Sequence, residues 1–228
     1  MSKIIVVVGA SRGIGRAVVE QLSQNQDHQV IALSRNLSSM KEHFGHLNNV
    51  TCHAVDLASP ALRAECEALF SSIPQIDILI NNAGLLVNKP FLELDRSEIL
   101  KSYEVNVIGV MQTVQAAVPK MTKGHIVNIS SMGGFQGSVK FAGLSAYSTS
   151  KAALCSFTEL FAEEYKESSI KMNCLCLGAA QTEMLEAAFP GYEAPVSADK
   201  MAEYIVDFSL NAHQWINGKI IPVSLSTP

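Results

Sequence analysis

Short β-branched, almost wholly apolar runs alternate with longer segments of helical periodicity, and this alternation constrains the chain more than any other feature. Lys3 to Val8, Gln29 to Ser34, Val50 to Val55, Asp77 to Asn81, Gly124 to Ser130, Ile170 to Leu177 and Ile216 to Val223 read as strands. Between them, Gly13 to Asn25, Pro60 to Ile73, Ser97 to Val118, Ala146 to Glu167 and Ser197 to Asn211 carry helical patterns, with Ser59, Asp95 or Ser97, and Ser197 as N-cap candidates. Strands such as Ile4-Ile5-Val6-Val7-Val8 have no polar side, so both faces of their sheet must be covered. The expected fold is therefore α/β: a Rossmann-type, doubly wound parallel sheet of seven strands with helices on both faces. At 228 residues, without an internal repeat, linker or low-complexity tract, the chain is read as one domain spanning 1–228. Residues 183–196, mixing aromatics with Gly and Pro, read as an irregular segment that either closes over a ligand or simply connects.

Composition narrows the function. A net charge of −4 with 17% charged residues gives no basic surface for nucleic acid. No run of 18 apolar residues exists and Ile4 to Val8 is too short for a secretory core, so no membrane partner is expected and a cytoplasmic location is the default. The five cysteines are odd in number and lack a C-x-x-C spacing, which indicates neither a disulfide framework nor a metal site; Cys174 and Cys176 are expected to pack as small apolar residues on one strand face.

Directly after the first strand comes Gly9-Ala10-Ser11-Arg12-Gly13-Ile14-Gly15 and then a helix. Glycines permit positive φ and close backbone approach, and a helix N-terminus offers free N–H groups to a pyrophosphate. The spacing is G-x-x-x-G-x-G, so a dinucleotide turn is the preferred reading and a merely tight turn the alternative. The second strand ends Ser34-Arg35 with no carboxylate to bond a ribose 2′-hydroxyl. Arg35 and Arg12 would instead clamp a 2′-phosphate, which favours NADP(H) over NAD(H), unless both are simply solvated.

Further along, Tyr147 and Lys151 stand four residues apart on a helical pattern, so the ammonium can lie beside the phenol. A fixed cation at ~4 Å in an effective dielectric of ~20 contributes about 4 kcal/mol, enough to lower a phenol pKa by roughly three units. Such a tyrosine would be a general acid or base, although the pair by itself reads first as an ordinary amphipathic helix with Tyr and Lys on one side.

With Asn81-Asn82-Ala83-Gly84, Val105-Asn106-Val107-Ile108-Gly109, Ile126 through Ser130-Ser131, Tyr147 to Lys151 with Ala152-Ala153, and Leu177-Gly178 through Thr182-Glu183-Met184, the chain resembles a short-chain dehydrogenase/reductase of the compact type from about Lys3 to Val223. The resemblance implies a catalytic set of Asn106, Ser131, Tyr147 and Lys151. Tyr147 would exchange a proton with a carbonyl or alcohol oxygen, Ser131 would hold that oxygen, and Lys151 would lower the phenol pKa and bond the nicotinamide ribose. Asn106 would anchor a water leading from Lys151 to solvent. By the same resemblance Gly9, Ser11, Arg12, Gly13, Ile14, Gly15, Ser34, Arg35, Asp56, Leu57, Asn82, Ala83, Gly84, Gly178 and Thr182, with Tyr147 and Lys151, would form the cofactor site. Asp56 is placed at the adenine, Thr182 at the carboxamide, and Asn81 is read as bracing the sheet.

The sequence departs from the family pattern at Val8, Leu177 and the end of the last strand, Val223-Ser224-Leu225. A loop of about three extra residues before Tyr147 leaves Ser130 as the alternative to Ser131. The function this implies is NADPH-dependent hydride transfer between the nicotinamide and a small carbonyl or alcohol substrate. The alternative is a catalytically inactive NADP(H)-binding sensor or scaffold, with a nicotinamide-retaining epimerase or dehydratase less favoured because no C-terminal substrate domain follows. A homodimer or homotetramer is implied by the family, through the helices at Ser97 to Val118 and Ala146 to Glu167, although apolar residues there such as Met111, Val114, Ala117, Leu154, Phe157 and Phe161 would equally serve burial against the sheet.

Overall fold

The computed structural model describes residues 2–225. Its strands are β1 (Ile4–Val8), β2 (Gln29–Ser34), β3 (Val50–Ala54), β4 (Ile78–Asn81), β5 (Lys123–Ser131), β6 (Ser169–Leu177) and β7 (Ile220–Val223). They form one parallel sheet in the order β3-β2-β1-β4-β5-β6-β7, the doubly wound arrangement expected. The helices are α1 (Gly13–Ser23), α2 (Leu37–Phe44), α3 (Leu62–Ser71), α4 (Arg96–Tyr103), α5 (Gly109–Ala117), α6 (Ser145–Glu164), α7 (Glu183–Ala188) and α8 (Ala198–Asn211).

Because successive strand side chains face opposite sides, β1 feeds two cores at once. Ile5 and Val7 join Val18, Leu22, Phe44, Ala202 and Ile205 under α1, α2 and α8. Val6 and Val8 join Leu62, Phe70, Val114, Leu154 and Phe161 under α3, α5 and α6. This is why an all-apolar β1 belongs at the centre of the sheet. Strand order reverses between β1 and its neighbour β4, opening a crevice beyond their C-terminal ends, where Gly9 and Asn82 follow.

Several elements differ from the sequence reading. The helix at Leu37–Phe44 was not anticipated; the Asn36 side chain caps it by accepting from the Ser39 N–H, and it buries Met40 and Phe44 one turn apart. The segment read as irregular begins with α7, capped by Thr182. The long pattern Ser97 to Val118 is interrupted by a π turn at Glu104–Ile108. Its start is fixed by Asp95, whose carboxylate accepts from the Glu98 N–H while Glu98 reaches back to the Asp95 N–H. Ser197 caps α8 as expected, whereas α3 begins after Ala61, with the Ser59 hydroxyl accepting from the Ala61 N–H. β7 starts four residues later than the apolar run suggests, because Gly218 turns the chain at φ 68°. Among the described residues no helix is long and apolar enough to cross a membrane.

Candidate active site

The crevice is a cleft of about 1020 Å³ at the C-terminal ends of the strands. At one end β1 delivers Gly9, with φ 86°, whose N–H donates to the Leu33 carbonyl at 2.8 Å. A Cβ on Gly9 would come within 2.6 Å of the Ala83 backbone, so only glycine lets the two turns meet. Asn82 locks the meeting by donating to the Gly9 carbonyl at 3.0 Å. Helix α1 starts at Gly13 with no side-chain cap and no acidic residue in its own first turn, and Gly13 borders the cleft, with the Glu183 carboxylate close beside it. The Ser34 hydroxyl donates to Ser11, tying the end of β2 to this turn. Arg12 and Arg35 are both exposed, both border the cleft, and neither belongs to an ion pair among the described residues. These features fit a dinucleotide: a glycine cradle and helix terminus for the pyrophosphate, and two uncommitted guanidinium groups beside the end of β2.

At the other end β5 carries Ser131, and α6 carries Tyr147 and Lys151. Ser131 is within hydrogen-bonding reach of the Tyr147 phenol and accepts from the Gly133 N–H at 3.1 Å. Lys151 is buried, lies 6.0 Å from the centre of the Tyr147 ring and donates to the Ile129 carbonyl at 2.8 Å. A Cβ on Gly84 would stand 3.2 Å from the Lys151 ammonium, so this glycine too marks a close approach. Ser130 is directed elsewhere, its hydroxyl donating to the Lys151 carbonyl at 2.8 Å. Thus Ser131, rather than Ser130, shares the cleft face of the phenol.

The electrostatics correct one expectation. Burial pushes the Tyr147 phenol above its usual 10, with the Ser131 hydrogen bond pulling it back, so the phenol holds its proton at neutral pH instead of being lowered by the ammonium. Burial acts on the lysine as well, lowering it to about 8. The pair is therefore a neutral acid beside a cation easily discharged by mild alkali.

The structure brings Gly9, Ser11, Arg12, Gly13, Ile14, Ser34, Arg35, Asp56, Leu57, Asn82, Ala83, Gly84, Ser131, Tyr147, Lys151, Gly178 and Thr182 to this one cleft. Gly15 and Asn106 do not border it. Gly15 packs the first turn of α1 on the Gly9 carbonyl, where a Cβ would fall 2.0 Å from the oxygen. Asn106, fully buried in the π turn, accepts from the Leu85 N–H at 2.7 Å and donates to the Leu85 carbonyl and the Ser150 hydroxyl, both at 2.9 Å. Its side chain is a brace between the β4 loop and α6. Asn81 also braces, donating to Asn128 at 2.9 Å. The cleft also has an apolar lining that includes Phe141, Met184, Leu185, Phe189, Tyr192 and Tyr204; the sequence reading weighs 183–196 as closing over a ligand but does not place these side chains in the site, and Phe141 and Tyr204 lie outside that segment. The aromatics of residues 183–196 were the available signal.

Comparison with known proteins agrees with this geometry. The family model described as short chain dehydrogenase matches residues 3–193. The 3-oxoacyl-(acyl-carrier-protein) reductase FabG of Aquifex aeolicus (strain VF5) is 31% identical, with 97% of this chain and 96% of that protein covered. Carbonyl reductase family member 4 of Xenopus laevis is also 31% identical, over 81% of this chain and 78% of that protein. Among solved structures, a short chain dehydrogenase from Salmonella enterica subsp. enterica serovar Typhi str. CT18 superposes with a TM-score of 0.87 at 28% identity, covering 97% and 96% of the two chains.

Proposed function

Since the chain belongs to the short-chain dehydrogenase family of nicotinamide-dependent oxidoreductases, we propose that it is an NADPH-dependent carbonyl reductase acting on a small ketone or aldehyde through Tyr147. The observation that carries this reading is the convergence of Ser131, Tyr147 and Lys151 at one end of a cleft whose other end presents Arg12 and Arg35. The Gly9-to-Gly13 turn and the two arginines would hold NADPH, which when bound would supply the hydride. Ser131 donates a hydrogen bond to the substrate carbonyl oxygen and fixes it next to the phenol. Tyr147, protonated at neutral pH, gives that oxygen its proton as negative charge develops there. Lys151 stabilises the phenolate left behind, and its charge is held in place by the Ile129 carbonyl. Asn106 ties the Leu85 backbone to Ser150, the residue before this lysine on α6. Substrate is bounded by the wall of Phe141, Phe189 and Tyr192, which suits an apolar group on the carbonyl carbon.

The protein mixed with NADPH and a panel of carbonyls consumes nicotinamide absorbance under this reading. Tyr147→Phe lowers turnover by about 10²- to 10⁴-fold while NADPH binding, followed by nicotinamide fluorescence, is retained. Tight NADPH binding with no turnover on any carbonyl would instead identify a sensor of the same fold.

A further inference from the structure

Behind the catalytic helix, three sulfur atoms converge that play no part in the chemistry above. Cys174 and Cys176 project from the same face of β6, as their spacing requires, and both are fully buried. Cys155, one turn beyond Lys151 on α6, completes the group. The three sulfurs lie within 4.8 Å of one another, and Cys155 and Cys176 are 3.6 Å apart. The Ser130 hydroxyl is 3.6 Å from the Cys155 sulfur and already donates its proton to the Lys151 carbonyl, leaving its lone pairs to face the sulfurs. Met132 closes the group on its apolar side.

We propose that Cys155, Cys174 and Cys176, with the Ser130 hydroxyl as a neutral fourth ligand, form a site for one zinc ion.

Spacing argues for a metal over a disulfide. Tetrahedral zinc with Zn–S bonds of about 2.3 Å sets its sulfurs about 3.8 Å apart, and a Zn–O bond of about 2.1 Å sets oxygen and sulfur about 3.6 Å apart. The Cys155–Cys176 and Cys155–Ser130 pairs already stand at such distances, both 3.6 Å, with all three sulfurs within 4.8 Å of one another, whereas a disulfide would have to draw two sulfurs to about 2.05 Å and strand the third. Charge points the same way. Three thiolates and a dication leave one negative charge in a buried apolar setting, and Lys151, whose ammonium feels all three cysteine side chains, offsets it. A monovalent soft ion would leave an uncompensated charge there. Binding involves no electron transfer: three S–H bonds give their protons to solvent as three Zn–S bonds form. Cys155 is half-buried, which gives the ion its route in. Cys174 and Cys176 pack beside Met132 as the small apolar residues expected, and sequence spacing gave no sign that Cys155, from α6, joins them.

The test uses the full chain, reduced and stripped of metal with a chelator, then supplied with zinc or with cobalt(II) as a spectroscopic probe. Elemental analysis after desalting is expected to give one zinc per chain, and cobalt a thiolate-to-metal charge-transfer band. Cys155→Ala and Cys174→Ala abolish both, Ser130→Ala weakens affinity by about 10- to 100-fold, and Cys52→Ala and Cys66→Ala change neither. Cys155→Ala places a good helix former at a half-buried helical position, so it reports even where a β6 variant fails to fold. In the unmodified protein, zinc should shield Cys155 from iodoacetamide as read by mass spectrometry. Failure to retain zinc, retention unchanged in Cys155→Ala, or alkylation of Cys155 at the same rate with and without zinc each overturns the proposal.

Discussion

Lys151 carries two opposed demands. Under the proposed mechanism its ammonium is needed at the phenol, yet burial lowers its pKa from 10.5 to about 8. In the unfolded chain the group titrates near its ordinary value, so between about pH 8 and 10.5 the unfolded state binds more protons and stability rises with pH. Activity moves the other way: kcat/KM for NADPH, which reports the free protein, should fall as pH rises through about 8. Urea unfolding across this range should show wild type gaining stability relative to Lys151→Met, and a flat difference would refute the assignment. Arg35 poses a simpler question. If it holds a 2′-phosphate, losing a charge-assisted hydrogen bond of about 1.5–3 kcal/mol in Arg35→Ala should raise KM for NADPH roughly 10- to 100-fold and leave KM for NADH unchanged. The arginines and the Tyr-Lys spacing were readable from residue order. The direction of the phenol shift was not, because it depends on how far the folded chain shields Tyr147 from water.

At the scale of elements, the turn between β1 and α1 shows how tightly the crevice is built. Gly15 has no room for a methyl group against the Gly9 carbonyl, so Gly15→Ala must lift α1 off the strand end. We expect a loss of about 1–3 kcal/mol or more in chemical denaturation, with NADPH binding weakened although Gly15 does not border the cleft. Unaltered stability would show that the helix can shift freely. Strands and long helices were legible because their apolar period reports directly which side is covered. The short helices α2 and α7 were not, since each spans under three turns and is secured by one side-chain cap, Asn36 or Thr182, surrounded by other polar residues that could serve as well. The π turn at Asn106 left no trace in periodicity. It exists because one buried amide meets Leu85 and Ser150, which lie 21 and 44 residues away along the chain.

For the whole molecule, α4, the π turn and α6 leave apolar side chains uncovered: Ile99, Leu100, Ile108 and Leu160, the last 67% exposed. By contrast Val114, Ala117, Leu154 and Phe161 from the same region are spent on the sheet-facing core. If the outward set is the contact between copies, Leu160→Glu should shift the mass measured by light scattering toward a single chain while far-UV circular dichroism stays constant. An assembly indifferent to that charge would place the contact elsewhere. The nine-residue ladder between β5 and β6 meanwhile ends with Ser131 paired to Leu177, so the serine proposed to hold the substrate oxygen and the turn that leads to Thr182 issue from one stiff double rail. The aromatic wall hangs instead on stretches outside that rail, around Phe141 and from Met184 to Tyr192. Transplanting those stretches between relatives should therefore change the diet of the enzyme while its way of moving protons stays put.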